Sequence, residues 1–135
     1  MLRIIKILFR ANYSFLPPKK TDILIFDFFS KPIVQIIFNL NKVEFLSTRK
    51  EEINLFILFK LFLRLKFSYF NYLLTYIDHV NPKLLVTSID NNKDFYKIKK
   101  FKPNLISIFF QNGHRTGGNG EIFEILEKKK LAEYK

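Results

Sequence analysis

The chain has 135 residues and a formal net charge of +11, from 23 Lys and Arg against 12 Asp and Glu, and 48% of it is hydrophobic. That is the length of one domain with enough apolar residues for a core; the lack of cysteine excludes a disulfide scaffold, a thiolate zinc site and a Cys nucleophile. A reducing cytoplasm is the expected compartment, and the charge favours anionic partners: nucleotides, nucleic acid or an acidic lipid surface.

Residues 1–9 are apolar and punctuated by Arg3 and Lys6, with Arg10 next. The stretch falls short of the roughly 20 apolar residues that span a bilayer, and no small-residue cleavage site follows it. It suits a membrane surface or a short edge element. Residues 1–20 are therefore read as a basic, apolar extension of a single domain over 1–135. Leu16-Pro17-Pro18-Lys19-Lys20 breaks regular structure, and the apolar run between Asp22 and Asp27 predicts a first buried strand. Ser30-Lys31-Pro32 has the form of a helix start, with Ser as N-cap and Pro in the first turn, and an apolar segment continues to Phe38. Residues 43–48 are rich in β-formers and predict a second strand.

From Glu51 the pattern is helical for a long way. Lys60, Arg64, Ser68, Asn71, Thr75 and Asp78 recur at steps of 4, 4, 3, 4 and 3, one polar stripe on a single helix or on two helices in near register. The rest of the circumference is apolar, so the helix should be covered on more than one side, by the sheet and by a neighbouring helix, a further domain, a partner or lipid. Lys60, Arg64 and Lys66 interrupt the run before it could span a membrane. Residues 84–89 predict a third strand, ending in Asp90-Asn91-Asn92, which can cap a helix over Lys93–Phe101. Residues 105–110 predict a fourth strand that runs into Gln111-Asn112-Gly113-His114-Arg115, and a glycine loop precedes a last amphipathic helix over residues 121–132.

Apolar strands alternating with helices, without hairpin turns, predict an α/β class: a Rossmann-like three-layer domain with a mostly parallel sheet of about four strands flanked by helices. Such sheets bind ligands beyond the carboxyl ends of their strands, at the point where the strand order reverses. Those ends carry Asp27, Arg49, Asp90, Asn91, Asn92, Gln111, Asn112, Gly113, His114 and Arg115. Side-chain amides and guanidinium groups there suit hydroxyl-rich or phosphate-bearing ligands. The alternative is that Asn and Gly are turn formers, and local chemistry does not choose between the two.

Other chemistries lack their defining pattern. No Gly-x-Gly-x-x-Gly follows the first strand and no phosphate loop is present. His79 and His114 are far apart and form no ligand pair, so neither metal nor cofactor is expected. A Ser88, His114, Asp90 triad can be written down, but without a Gly-x-Ser-x-Gly elbow. The aromatic residues sit inside apolar runs, which favours core packing over nucleic-acid stacking.

Several segments resemble, in order and with similar spacing, the N-terminal part of a bacterial surface carbohydrate biosynthesis protein family. They are Arg10-Ala11, the Leu16 to Lys20 segment, the Asp22 to Asp27 run, Val43-Glu44, Arg49, Glu51-Glu52-Ile53-Asn54, Asn81-Pro82-Lys83, Ile89-Asp90-Asn91-Asn92 with Phe95-Tyr96, Phe109-Phe110-Gln111-Asn112-Gly113-His114-Arg115, and Ile122-Phe123-Glu124. The resemblance runs from about residue 9 to about residue 130, and its most specific pieces are Ile-Asp-Asn-Asn and Gln-Asn-Gly-x-Arg. That family looks like a GT-B glycosyltransferase and is similar to the glycerophosphotransferases that build wall polymers. Where relatives often carry Gly after the first strand, Phe28-Phe29-Ser30 stands here.

The resemblance implies the acceptor-side half of an interdomain cleft, facing a sugar-polymer or lipid-linked acceptor. The nucleotide-sugar donor would be met through a second half outside this chain, and His114 would be the acid–base candidate. Alone, the chain is expected to be inactive, and its expected location is the cytoplasm, peripheral on the inner membrane. The alternative function is a non-enzymatic basic module that binds a membrane surface or a partner.

Overall fold

A computed structural model of the chain describes residues 12–27, 34, 36–48, 52–65, 67–89 and 92–110. Among the described residues, the strands and the fully described α-helices follow in chain order as β1 (Asn12–Ser14), β2 (Ile23–Phe26), β3 (Val43–Leu46), β4 (Glu52–Asn54), α1 (Leu55–Leu63), α2 (Tyr69–Val80), β5 (Leu84–Thr87), α3 (Lys93–Phe101) and β6 (Ile106–Phe109), with a 3-10 turn over Leu40–Lys42 before β3. Four strands form one sheet in the order β3-β2-β5-β6, and every neighbouring pair is parallel. The fold is α/β and Rossmann-like, as the alternation of strands and helices requires.

Both faces of the sheet carry apolar residues, as in parallel sheets whose helical crossovers cover the two sides, although Ile106 and Ile108 on the edge strand β6 remain exposed. Successive residues point to opposite faces. Leu24, Phe26, Leu46 and Leu85 pack on one side against Ile57 and Leu61 of α1, Leu73, Tyr76, Ile77 and Val80 of α2, and Phe95 and Ile98 of α3. Ile25, Val43 and Val86 face the other way, against Val34. Val34 belongs to a helical turn closed by Phe38 N–H donating to the Val34 carbonyl at 2.8 Å; the helix start expected at Ser30-Lys31-Pro32 lies outside the described residues, as do residues 1–11 and the helix expected over residues 121–132.

The helix caps behave as their side chains dictate. Asn92 accepts the Asp94 N–H at 3.0 Å to start α3, and Lys99 at its far end donates to the carbonyls of Pro103 and Leu105 at 2.7 and 2.8 Å. Asn81, at φ 56°, ends α2 in the left-handed conformation that Asn tolerates.

The long helical segment expected from Glu51 differs in two ways. Glu52–Asn54 is a strand, paired in parallel with Asn12–Ser14, so the described end of the N-terminal extension forms a small sheet with it. The reason is Asn54, which is 5% exposed. It caps α1 by accepting the Ile57 N–H at 3.1 Å, its Nδ2 donates to the Leu16 carbonyl at 2.8 Å, and its own N–H donates to the Tyr72 hydroxyl at 3.0 Å. One side chain thus starts the helix and anchors the chain before β2. The second difference is a break: Leu65 takes φ 52° and Ser68 caps α2 by accepting the Asn71 N–H at 3.1 Å. The polar stripe is therefore split between two helices, and Thr75 is buried rather than solvated. Lys60 still meets His79 across the helices at 2.9 Å, and Arg64 meets Asp78 at 3.5 Å. An ammonium can only donate, so His79 Nδ1 accepts from Lys60, and burial first, then the Lys60 cation, lower the His79 pKa.

Glu44, on β3, carries a testable consequence. Its carboxylate accepts from the Tyr76 hydroxyl at 3.0 Å and from the Lys19 backbone N–H at 3.2 Å, yet burial outweighs both and raises its pKa. A carboxyl whose folded pKa lies above its unfolded value holds its proton longer in the folded state, so stability falls as pH rises from the unfolded value through the folded one. Glu44→Gln keeps an acceptor for Tyr76 without the desolvated charge. Thermal melts are expected to place the variant above the parent at pH 7 and level with it near pH 4; a variant no more stable at pH 7 refutes this account.

Candidate functional site

The chain leaves β2 for β3 on one side and then crosses back over β2 to form β5 on the other. The strand order therefore reverses between β2 and β5, which makes their carboxyl ends the switch point of the sheet. Asp27 directly follows β2, and β5 closes on Thr87 with Ser88 next; all three are buried, with Asp27 at 1% and Thr87 at 0% exposure. Polar residues this enclosed need partners.

Thr87 supplies several of them. Its hydroxyl donates to the Phe26 carbonyl at 3.0 Å and accepts the Ile89 N–H at 3.1 Å, while its carbonyl accepts the Phe110 N–H at 2.9 Å. It buckles the ends of β2, β5 and β6 together just where their ladder stops. Asp27 is held from the other side: its N–H donates to the Leu46 carbonyl at 2.9 Å, and its carboxylate accepts the Thr48 hydroxyl at 2.6 Å. The Thr48 carbonyl in turn accepts the Tyr69 hydroxyl at 2.5 Å. Burial above all, then the nearby charges of Asp94 and Asp27, push the Tyr69 pKa upward, so it remains a proton donor.

Asp27 also takes φ 100°, outside the range that L-residues other than Gly favour. Positive φ at such a residue costs on the order of 1 kcal/mol or more and persists where its surroundings over-determine it. Here the Leu46 and Thr48 contacts do so, and they aim the turn after β2.

Of the residues expected at this rim, Asp27 and Asn92 are described. Asp27 directly follows β2, and Asn92 heads α3 with its Oδ1 occupied as the cap. Arg49, Asp90, Asn91, Gln111, Asn112, Gly113, His114 and Arg115 lie outside the described residues. Ile89 and Phe110, which immediately precede two of those groups, are both tied to Thr87 at the carboxyl edge. The sequence reading missed Thr48, Thr87 and Tyr69. A signal existed in the hydroxyl pairs Ser47-Thr48 and Thr87-Ser88, each at the close of an apolar strand.

The opposite edge is different in kind. Two open clefts there, of about 630 and 720 Å³, are lined by Asp22, Asn81, Lys20 and Lys42 in one case and by Lys83 and Lys102 in the other. They are solvated lysine-rich turns, without the buried polar cluster of the carboxyl edge. Among the described residues no group of three or more His, Asp or Glu is placed to hold a metal, and no helix is long and apolar enough to cross a membrane.

Fold and site together define a Rossmann-like parallel α/β unit with a buried carboxylate and hydroxyls at its switch point. No family model, curated protein or solved structure matches the chain.

Proposed function

We propose that this chain binds a hydroxyl-rich, phosphate-bearing precursor of a surface polysaccharide at the carboxyl edge of its sheet, as the acceptor-side half of a glycosyltransferase-like protein. The observation that carries the reading is the Asp27 carboxylate, buried, at positive φ and bonded by Thr48, one residue after the Phe26 carbonyl that Thr87 holds where the strand order reverses. A carboxylate accepts sugar hydroxyls, and among the residues that follow the other strands in sequence Arg49, Asn91, Gln111, Asn112 and Arg115 offer guanidinium and amide donors for phosphate and hydroxyl groups, Asp90 a second carboxylate acceptor, and Gly113 room for close backbone approach. The resemblance of Ile-Asp-Asn-Asn and Gln-Asn-Gly-x-Arg to the surface carbohydrate family names the substrate class. The resemblance assigns the donor contacts to a second half of the cleft and makes His114 its acid–base candidate. The reaction takes place in the cytoplasm, at the inner membrane.

Titration of the isotope-labelled chain with glycerol 3-phosphate, which presents hydroxyl and phosphate together, tests the site. Amide shifts are expected at Asp27, Thr48, Thr87 and Ser88, with affinity reduced about tenfold in Asp27→Asn, the loss of one charge-assisted hydrogen bond. Shifts confined to Lys20, Lys42 and Lys83, or no shifts at all, exclude the carboxyl edge as the binding site.

A further inference from the structure

We propose that the outer face of α1 and the segment after it form a docking surface for an anionic lipid bilayer. Ile57 and Leu61 turn inward and are buried, whereas Phe59, Phe62 and Leu63, related by three- and four-residue steps, share the opposite side and are 61%, 60% and 65% exposed. Leu65 and Phe67 extend the patch at 76% and 66% exposure. The rings of Phe62 and Phe67 meet edge to face at 5.8 Å, so the apolar surface is continuous across the break between α1 and α2. Contiguous apolar surface of this kind on a soluble fold marks a contact site.

Charge selects the occupant. Residues 55–67 contain Lys60, Arg64 and Lys66 and no acid. Arg64 reaches Asp78, but that carboxylate also pairs with Lys102. A two-fold contact with a second copy would set two such acid-free, cationic segments against each other, while Asp78 is already shared between Arg64 and Lys102. Anionic headgroups neutralise these cations while the acyl boundary takes up the Phe and Leu side chains. α1 has nine residues, about 13 Å of helix, against a hydrocarbon core of about 30 Å, so the contact is interfacial. This surface is separate from the buried cluster at the carboxyl edge, and it stands or falls independently of the ligand bound there.

Co-sedimentation of the full chain with vesicles decides the matter. One set is phosphatidylcholine alone, and the other contains about one-third phosphatidylglycerol, enough for a strong negative surface potential. The chain is expected to sediment with the anionic vesicles, to be released by high salt, and to lose at least about tenfold in partitioning on Phe62→Ser with Leu63→Ser. Both side chains are exposed, so circular dichroism of the double variant should match the parent. Absence of anionic binding, equal binding to neutral vesicles, or unchanged binding by the double variant through residues 1–10 each overturns the proposal. So does a concentration-dependent dimer that the same double substitution abolishes.

Discussion

Phe26→Ala is expected to lower folding stability by about 3–5 kcal/mol, the range for deleting a buried phenyl ring and leaving a cavity. Against the roughly 5–15 kcal/mol that holds a domain of ordinary size together, that is a large share. Phe26 is fully buried on the central strand β2, packs edge to face on Phe95 of α3 at 5.6 Å, and belongs to the cluster that joins the sheet to all three helices. Interior packing is dense, so its neighbours can close the gap only in part. Phe62→Ala removes an equally large ring from the exposed side of α1 and should change stability by no more than about 0.5 kcal/mol. Guanidinium unfolding of the two variants measures the contrast. Similar losses in both would mean that the ring at Phe62 is packed and that the core has been misidentified.

Thr87→Val is expected to cost about 2–3 kcal/mol although it changes almost nothing in shape. The pairing of β2 with β5 runs from Ile23↔Leu84 to Ile25↔Val86, and the next residue on β2 has no ladder partner there. The Thr87 hydroxyl takes over by donating to the Phe26 carbonyl, and it receives the Ile89 N–H at the same time. Valine leaves both backbone groups without that partner in a place water reaches poorly, and an unsatisfied buried group costs about 1–3 kcal/mol. Thr87→Ser retains the hydroxyl and loses one methyl, a change of about 1 kcal/mol. Valine at least as stable as serine in urea unfolding would show that Thr87 does not bind the switch point together. Because Asp27 directly follows Phe26, the valine variant should also weaken the response of the Asp27 amide to glycerol 3-phosphate.

Much of the architecture was legible in local pattern. The apolar runs bounded by Asx, Pro and Lys residues mark the four strands of the main sheet, and the Asn92, Asp94 and Lys99 arrangement marks α3, because caps and helix-end charges act within one turn of the chain. Asp27 and Asn92 were visible as polar residues after or before such elements. Thr48, Thr87 and Tyr69 were not, since Thr and Tyr are common β-formers and core residues whose hydroxyls here donate to groups 21 to 61 positions away. The early helix start at Glu51 failed for the same reason: the partner that makes Glu52–Asn54 a strand is Asn12–Ser14, and Asn54 joins Leu16 and Tyr72 at separations of 38 and 18.

By itself the amino-acid sequence determined a basic, cysteine-free α/β chain whose apolar strands must lie parallel under helices, because hydrophobic period and capping chemistry are local properties. The tertiary structure alone decided the order β3-β2-β5-β6, hence the reversal between Asp27 and Thr87, and which side of α1 is left uncovered with Phe59, Phe62 and Leu63. Both depend on which distant segments pair and pack, and burial is shared among residues that periodicity along the chain does not connect.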